Sequence, residues 1–180
     1  RSLVGSEMCI RDSNKIEVKA GDVVMVKAGT IHAIGAGVFI CEIQQNSNCT
    51  YRMYDYDRRD KFGNPRELHV KKALDVVDNH KYIKDNKTEV VIARNEHFTE
   101  ERLVQCKYFE VYKYDVNDEA KITVDEASFV SVLFINGSGT IETDDYEKTM
   151  EFKAGDSFFV SAGLRSIIIK GQATMVVTRV

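Results

Sequence analysis

The 180-residue chain carries 25 Lys and Arg against 28 Asp and Glu, a formal net charge of −3, and is 43% hydrophobic. That balance argues against a nucleic-acid binder built on a basic face, and the length suits one large domain or two small ones. No apolar run nears the ~20 residues a membrane-spanning helix needs and no signal-peptide pattern opens the chain, so a cytoplasmic location with no membrane partner is expected. Cys9, Cys41, Cys49 and Cys106 match no zinc-ribbon or redox spacing and read as free thiols, a Cys41–Cys49 bridge being the alternative.

Residues 1–13 (RSLVGSEMCIRDS) have neither strand alternation nor a helical stripe. They resemble peptide translated from a sequencing adaptor, and the expectation is a non-native segment with the natural protein extending further upstream. From Asn14 the pattern is that of strands. Residues 14–55 read as the later part of a first barrel, with strands at Val38–Ile43 and Thr50–Tyr54. Residues 56–87 read as a polar linker holding one helix over 66–77, with the sole proline, Pro65, just before it. Residues 88–180 read as a second β barrel. Within it, Lys107–Asp115 predicts a strand, and Ser128–Ile135 with Thr140–Thr143 predicts a hairpin turned by Asn136-Gly137-Ser138-Gly139. Ala173–Val180 predicts a final strand.

The two halves share a repeat. VKAGDVVMVKAGTIHAI over 18–34 aligns without gaps on FKAGDSFFVSAGLRSII over 152–168, about 134 residues later. In each copy K-A-G-D predicts a tight turn, with Gly supplying positive φ and Asp capping its own backbone, followed by a short buried strand and a second glycine turn.

The copies differ where chemistry would sit. His32 in the first stands where Ser166 stands in the second. Imidazole ligates zinc, iron or nickel, whereas a serine hydroxyl is a poor ligand, so the first half is the one able to hold a metal and the second is expected to be metal-free. The alternative for His32 is an ordinary core or turn histidine. Glu42 lies ten residues on and Arg52 ten beyond that. A guanidinium aimed into such a barrel reads phosphate or carboxylate, and the competing reading of Arg52 is a surface arginine. His69 on the helix, His80 in the linker and His97, without a partner at ligand spacing, read as structural or solvated.

The segment GTIHAIGAGVFICEIQQNSNCTYRMYDYDR, continuing to PRELHVKKALDV, resembles the short bacterial type I mannose-6-phosphate isomerases of the cupin superfamily, and the likeness extends over about residues 14–180. The resemblance implies a mainly β, jelly-roll double barrel with its first barrel truncated and one connecting helix. It implies a zinc enzyme that interconverts mannose 6-phosphate and fructose 6-phosphate through an enediol. It further implies that His32 is the last zinc ligand in chain order, that Arg52 is the active-site arginine and that Glu42 lies near the sugar. The family's other ligands, in a Gln-x-His-Pro segment and a later glutamate, have no counterpart in residues 1–31, so an inactive C-terminal fragment is expected. The alternative function is a non-catalytic cupin-like sugar-binding or sensing module.

Overall fold

The computed structural model describes residues 14–47, 49–78, 90–143 and 149–180. They belong to two compact units, Arg1–Lys84 and Asp85–Val180. The segment 1–13, Cys9 and His80 lie outside the described residues.

In the second unit the described residues form one antiparallel sheet of eight strands. These are β1 (Val90–Arg94), β2 (Phe98–Gln105), β3 (Glu110–Val116), β4 (Glu119–Val124), β5 (Val130–Thr143), β6 (Met150–Lys153), β7 (Ser157–Val160) and β8 (Arg165–Arg179). Two long strands organise it. β8 pairs with β5 along one side and with β4 and then β3 along the other, while the far side of β5 takes β7 and β6. A pair of strands that each serve two shorter partners must curl, and the curl encloses one core. Ile122, Val132, Phe134, Ile169, Met175 and Val177 are fully buried in it. Phe134 stacks on Phe152 with ring centroids 3.8 Å apart, and Phe158 meets its edge at 5.9 Å.

The expected hairpin at Asn136–Gly139 does not form. β5 runs straight through these residues and pairs with β8 from Val130 to Thr143. The glycines serve close approach instead of a turn: a Cβ on Gly137 would lie 1.9 Å from the Gln172 carbonyl oxygen, and one on Gly139 would lie 2.0 Å from that of Lys170. A bulge between Phe134 and Asn136 inserts Ile135 as an extra residue, which moves the inward set from Val130, Val132 and Phe134 to Gly137, Gly139 and Ile141. On the opposite strand the expected start at Ala173 is too late. β8 begins at Arg165 and keeps Ile167, Ile169, Ala173, Met175 and Val177 facing inward across Gly171.

Among the described residues of the first unit, the strands expected over 14–55 are absent. Its described residues hold turns, extended backbone, one isolated bridge between Arg59 and Pro65 and one helix, α1 (Val70–Val76). Strand pairing is a non-local interaction, and no described segment offers these residues a ladder. Alternation survives only as uneven burial, with Val23 and Met25 half-buried and Val24 and Val26 exposed. The helix is shorter than the 66–77 expected. Arg66 is drawn to Asp55 and the His69 N–H donates to the Arg52 carbonyl at 2.7 Å, which keeps residues 66–69 out of the helix and makes His69 its N-cap residue.

The repeated turns do form in both units. The Asp22 N–H donates to the Lys19 carbonyl at 3.1 Å and the Lys19 N–H to Asp22 Oδ2 at 3.2 Å; in the second copy the same two bonds join Lys153 and Asp156 at 3.1 and 2.9 Å. Gly21 and Gly155 carry φ of +93° and +91°. The second copy is also stitched to β5: the Phe134 N–H donates to the Asp156 carbonyl and the Gly155 N–H to the Phe134 carbonyl.

Candidate functional site

Of the three residues singled out in the sequence, Arg52 has the most structured surroundings. Its side chain is 23% exposed. Nη1 donates to the Glu67 carbonyl at 3.2 Å, and Nε lies 3.6 Å from Asp55 Oδ1. Its backbone N–H donates to Nδ1 of His69 at 3.3 Å, which leaves the His69 proton on Nε2, 3.7 Å from Glu67 Oε2. Asp55 is buried and receives both arms of the Arg66 guanidinium, with Nε to Oδ2 at 2.7 Å and Nη2 on Oδ1. The Arg66 hydrogen bonds hold the Asp55 carboxyl below its usual range. Asp55 thus remains an anion that steadies Arg52 from one side, while a carbonyl steadies it from another. Arg52, Asp55, Arg66 and His69 form one polar cluster, and sequence reading found only the first. The signal that could have found Asp55 and Arg66 was an acid and an arginine flanking the 56–65 connector, which folds back on itself through the Arg59–Pro65 bridge.

His32 and Glu42 are exposed. The His32 Nδ1–H donates to the Thr30 carbonyl at 2.9 Å, so the lone pair lies on Nε2, the tautomer of a histidine that ligates metal through Nε2. Glu42 makes no hydrogen bond or ion pair among the described residues. Ser166, at the position matching His32, is 2% exposed, so the shared spacing does not give the two positions one environment. The expected zinc does not fit the described residues taken alone. No three His, Cys, Asp or Glu side chains among them gather where a metal could be held, and one imidazole is too few. Cys41, Cys49 and Cys106 are free thiols.

His97 has a partner that its sequence spacing hid. Nδ1 lies 2.9 Å from both carboxylate oxygens of Asp118, joining the turn before β2 to the turn before β4. The Asp118 carboxylate raises the imidazole above its ordinary value, and the imidazole in turn lowers Asp118. The stabilisation from His97 is therefore complete below about pH 6.5 and fades as pH rises through its raised folded value; that from Asp118 is present above about pH 3.8 and fades as pH falls through its lowered one. An NMR titration of the His97 ring should give a midpoint above 6.5, and Asp118→Asn should lower it toward the ordinary value. An unchanged midpoint in that variant would mean that the pair is absent in solution.

The curled antiparallel sheet with a single inner core defines the second unit as a cupin jelly roll. Residues 99–180 match the family model for the mannose-6-phosphate isomerase cupin domain. The chain is 42% identical over 171 residues to "Putative mannose-6-phosphate isomerase YvyI" of Bacillus subtilis, over 92% of this chain and 51% of that protein. It is 34% identical over 174 residues to mannose-6-phosphate isomerase ManA of the same organism, over 91% of this chain and 50% of that protein. The crystal structure of the mannose 6-phosphate isomerase from Bacillus subtilis superposes with a TM-score of 0.65 at 39% identity, covering 76% of this chain and 42% of that one. The second unit is thus matched to the mannose-6-phosphate isomerase cupin domain, and the chain spans about half the length of the curated relatives it matches. Among the described residues no helix is long and apolar enough to cross a membrane.

Proposed function

We propose that this chain forms part of an aldose–ketose isomerase that interconverts mannose 6-phosphate and fructose 6-phosphate, and that on its own it does not turn over. The reaction moves a proton between C1 and C2 through an enediol, and the barrier lies in the negative charge that develops on oxygen as the C–H bond breaks. Arg52 is the catalytic residue assigned here. Asp55 and the Glu67 carbonyl hold its guanidinium in one orientation. A planar fork fixed in advance can take a phosphate or enediolate oxygen without reorganising. Glu42 is assigned to the sugar side, and His32 to a zinc centre whose other donors are not among the described residues. The observation that best supports the reading is the bracing of Arg52 in a chain similar to these isomerases.

The test uses the protein at the full length of its relatives. Arg52→Lys should lower kcat/KM for mannose 6-phosphate by about 100-fold, because a point charge cannot replace the fork. Near-normal kcat/KM would remove Arg52 from the mechanism. Sugar-phosphate binding without turnover by the unmutated protein would make it a binding module instead.

A further inference from the structure

One end of the second unit's sheet, where β2 and β8 finish and β3 begins, carries charge on its inner face. Arg102 lies opposite Tyr112 on the β2 side of β3, and Arg179 lies opposite Glu110 on the β8 side. Residues two apart on a strand share a face, so Arg102, Glu110, Tyr112 and Arg179 all line the inside of this mouth. The Arg179 guanidinium sits over the Tyr112 ring at 5.4 Å from its centroid. Arg102, Tyr112 and Arg179 are each half-buried, so the mouth is reachable from solvent.

Neither arginine makes a hydrogen bond or an ion pair among the described residues, and the Arg179 Nε is buried without a partner. A buried donor left unpaired is costly. The nearby acids do not relieve it, because they are committed elsewhere. Glu110 accepts from the Tyr112 hydroxyl at 2.6 Å and from Gln105 Nε2 at 2.5 Å, and Glu100 accepts from the Tyr114 hydroxyl at 2.6 Å. Both guanidiniums act on one group: Arg179 and Arg102 each favour ionisation of the Tyr112 phenol, against the upward push of burial and Glu110.

We infer that Arg102 and Arg179 form an oxyanion site at this mouth, with a phosphate group as ligand, either free or as a phosphomonoester. Two forked donors stand on the strands flanking Tyr112, on the same inner face, and a tetrahedral oxyanion offers each of them a pair of oxygens. No carboxylate among the described residues accepts from the orphaned Nε, so the Arg179 fork has no anion committed to it. The site lies in the second unit and uses neither His32 nor Arg52.

The test follows the arginine Nε–Hε cross-peaks of the full chain by ¹⁵N NMR, assigned with Arg102→Lys and Arg179→Lys. Inorganic phosphate and glycerol 2-phosphate, titrated separately at constant ionic strength, should shift the Arg102 and Arg179 peaks saturably. Tighter binding of the ester would identify the phosphomonoester as the ligand, and equal or tighter binding of phosphate the free ion. Arg102→Gln, read on the Arg179 peak, should weaken binding at least tenfold, and a retained spectrum elsewhere reports that the sheet is intact. Shifts that do not saturate with either ligand, or an unchanged affinity in Arg102→Gln, would overturn the inference.

Discussion

Gly139→Ala should be among the most damaging single methyl groups that can be added to the second unit. Its new Cβ would stand 2.0 Å from the Lys170 carbonyl oxygen and 2.9 Å from the ring of Phe152. The ring could swing aside, but the carbonyl belongs to β8 and is fixed by the β5–β8 ladder. Relief therefore requires the two central strands to separate, and a cost above about 4 kcal/mol is expected, against a total stability of about 5–15 kcal/mol for a domain. Gly155→Ala is the control. Gly155 has a φ of +91° but nothing within 4 Å of a Cβ, so only backbone strain of about 1 kcal/mol is at stake. Thermal melts by circular dichroism should leave Gly155→Ala folded and Gly139→Ala largely unfolded at room temperature. Equal melting of the two would mean that β5 and β8 do not approach this closely.

Phe134→Ala should cost about 3–5 kcal/mol, the range for deleting a fully buried aromatic side chain. Phe134 is 0% exposed, stacks on Phe152 and receives the edge of Phe158. Its backbone bonds to Asp156 and Gly155 are unaffected by the substitution, so the loss isolates the side chain. The urea midpoint should fall with little change in slope, and Phe134→Leu should recover most of it. A Phe134→Ala midpoint within experimental error of the unmutated chain would place the core elsewhere.

The sequence made the turns legible and the pairings much less so. K-A-G-D closes the same two hydrogen bonds at Lys19–Asp22 and Lys153–Asp156, although only the second is followed by a strand. A turn of this kind needs only its own four residues. Strand β7 needs β5, and the matching Val23–Val26 segment has no described partner, so a similar pattern gave a strand in one unit and unpaired, partly exposed backbone in the other. Gly137 and Gly139 misled for a related reason: a glycine required for close contact between strands looks the same in sequence as one required for a turn. At the candidate site, spacing pointed to Arg52 but not to Asp55, Arg66 or His69, which depend on how the connector after Asp55 folds back. His97 and Asp118, 21 residues apart, meet only because β2 and β3 pair.

The single extra residue in β5 makes the strand's residue count part of the folding code. Up to Phe134 the even numbers point to the core, and after Ile135 the odd numbers do. Lay the same letters down without the bulge and every residue after Ile135 changes sides, so that Thr140 and Glu142 would be presented to the oily interior and Ile141 to water, whereas removing Ile135 itself would leave a plain ladder with the same inward set. A residue gained or lost elsewhere in β5 would therefore need a bulge of its own to keep the faces, whereas a loss at Ile135 would not.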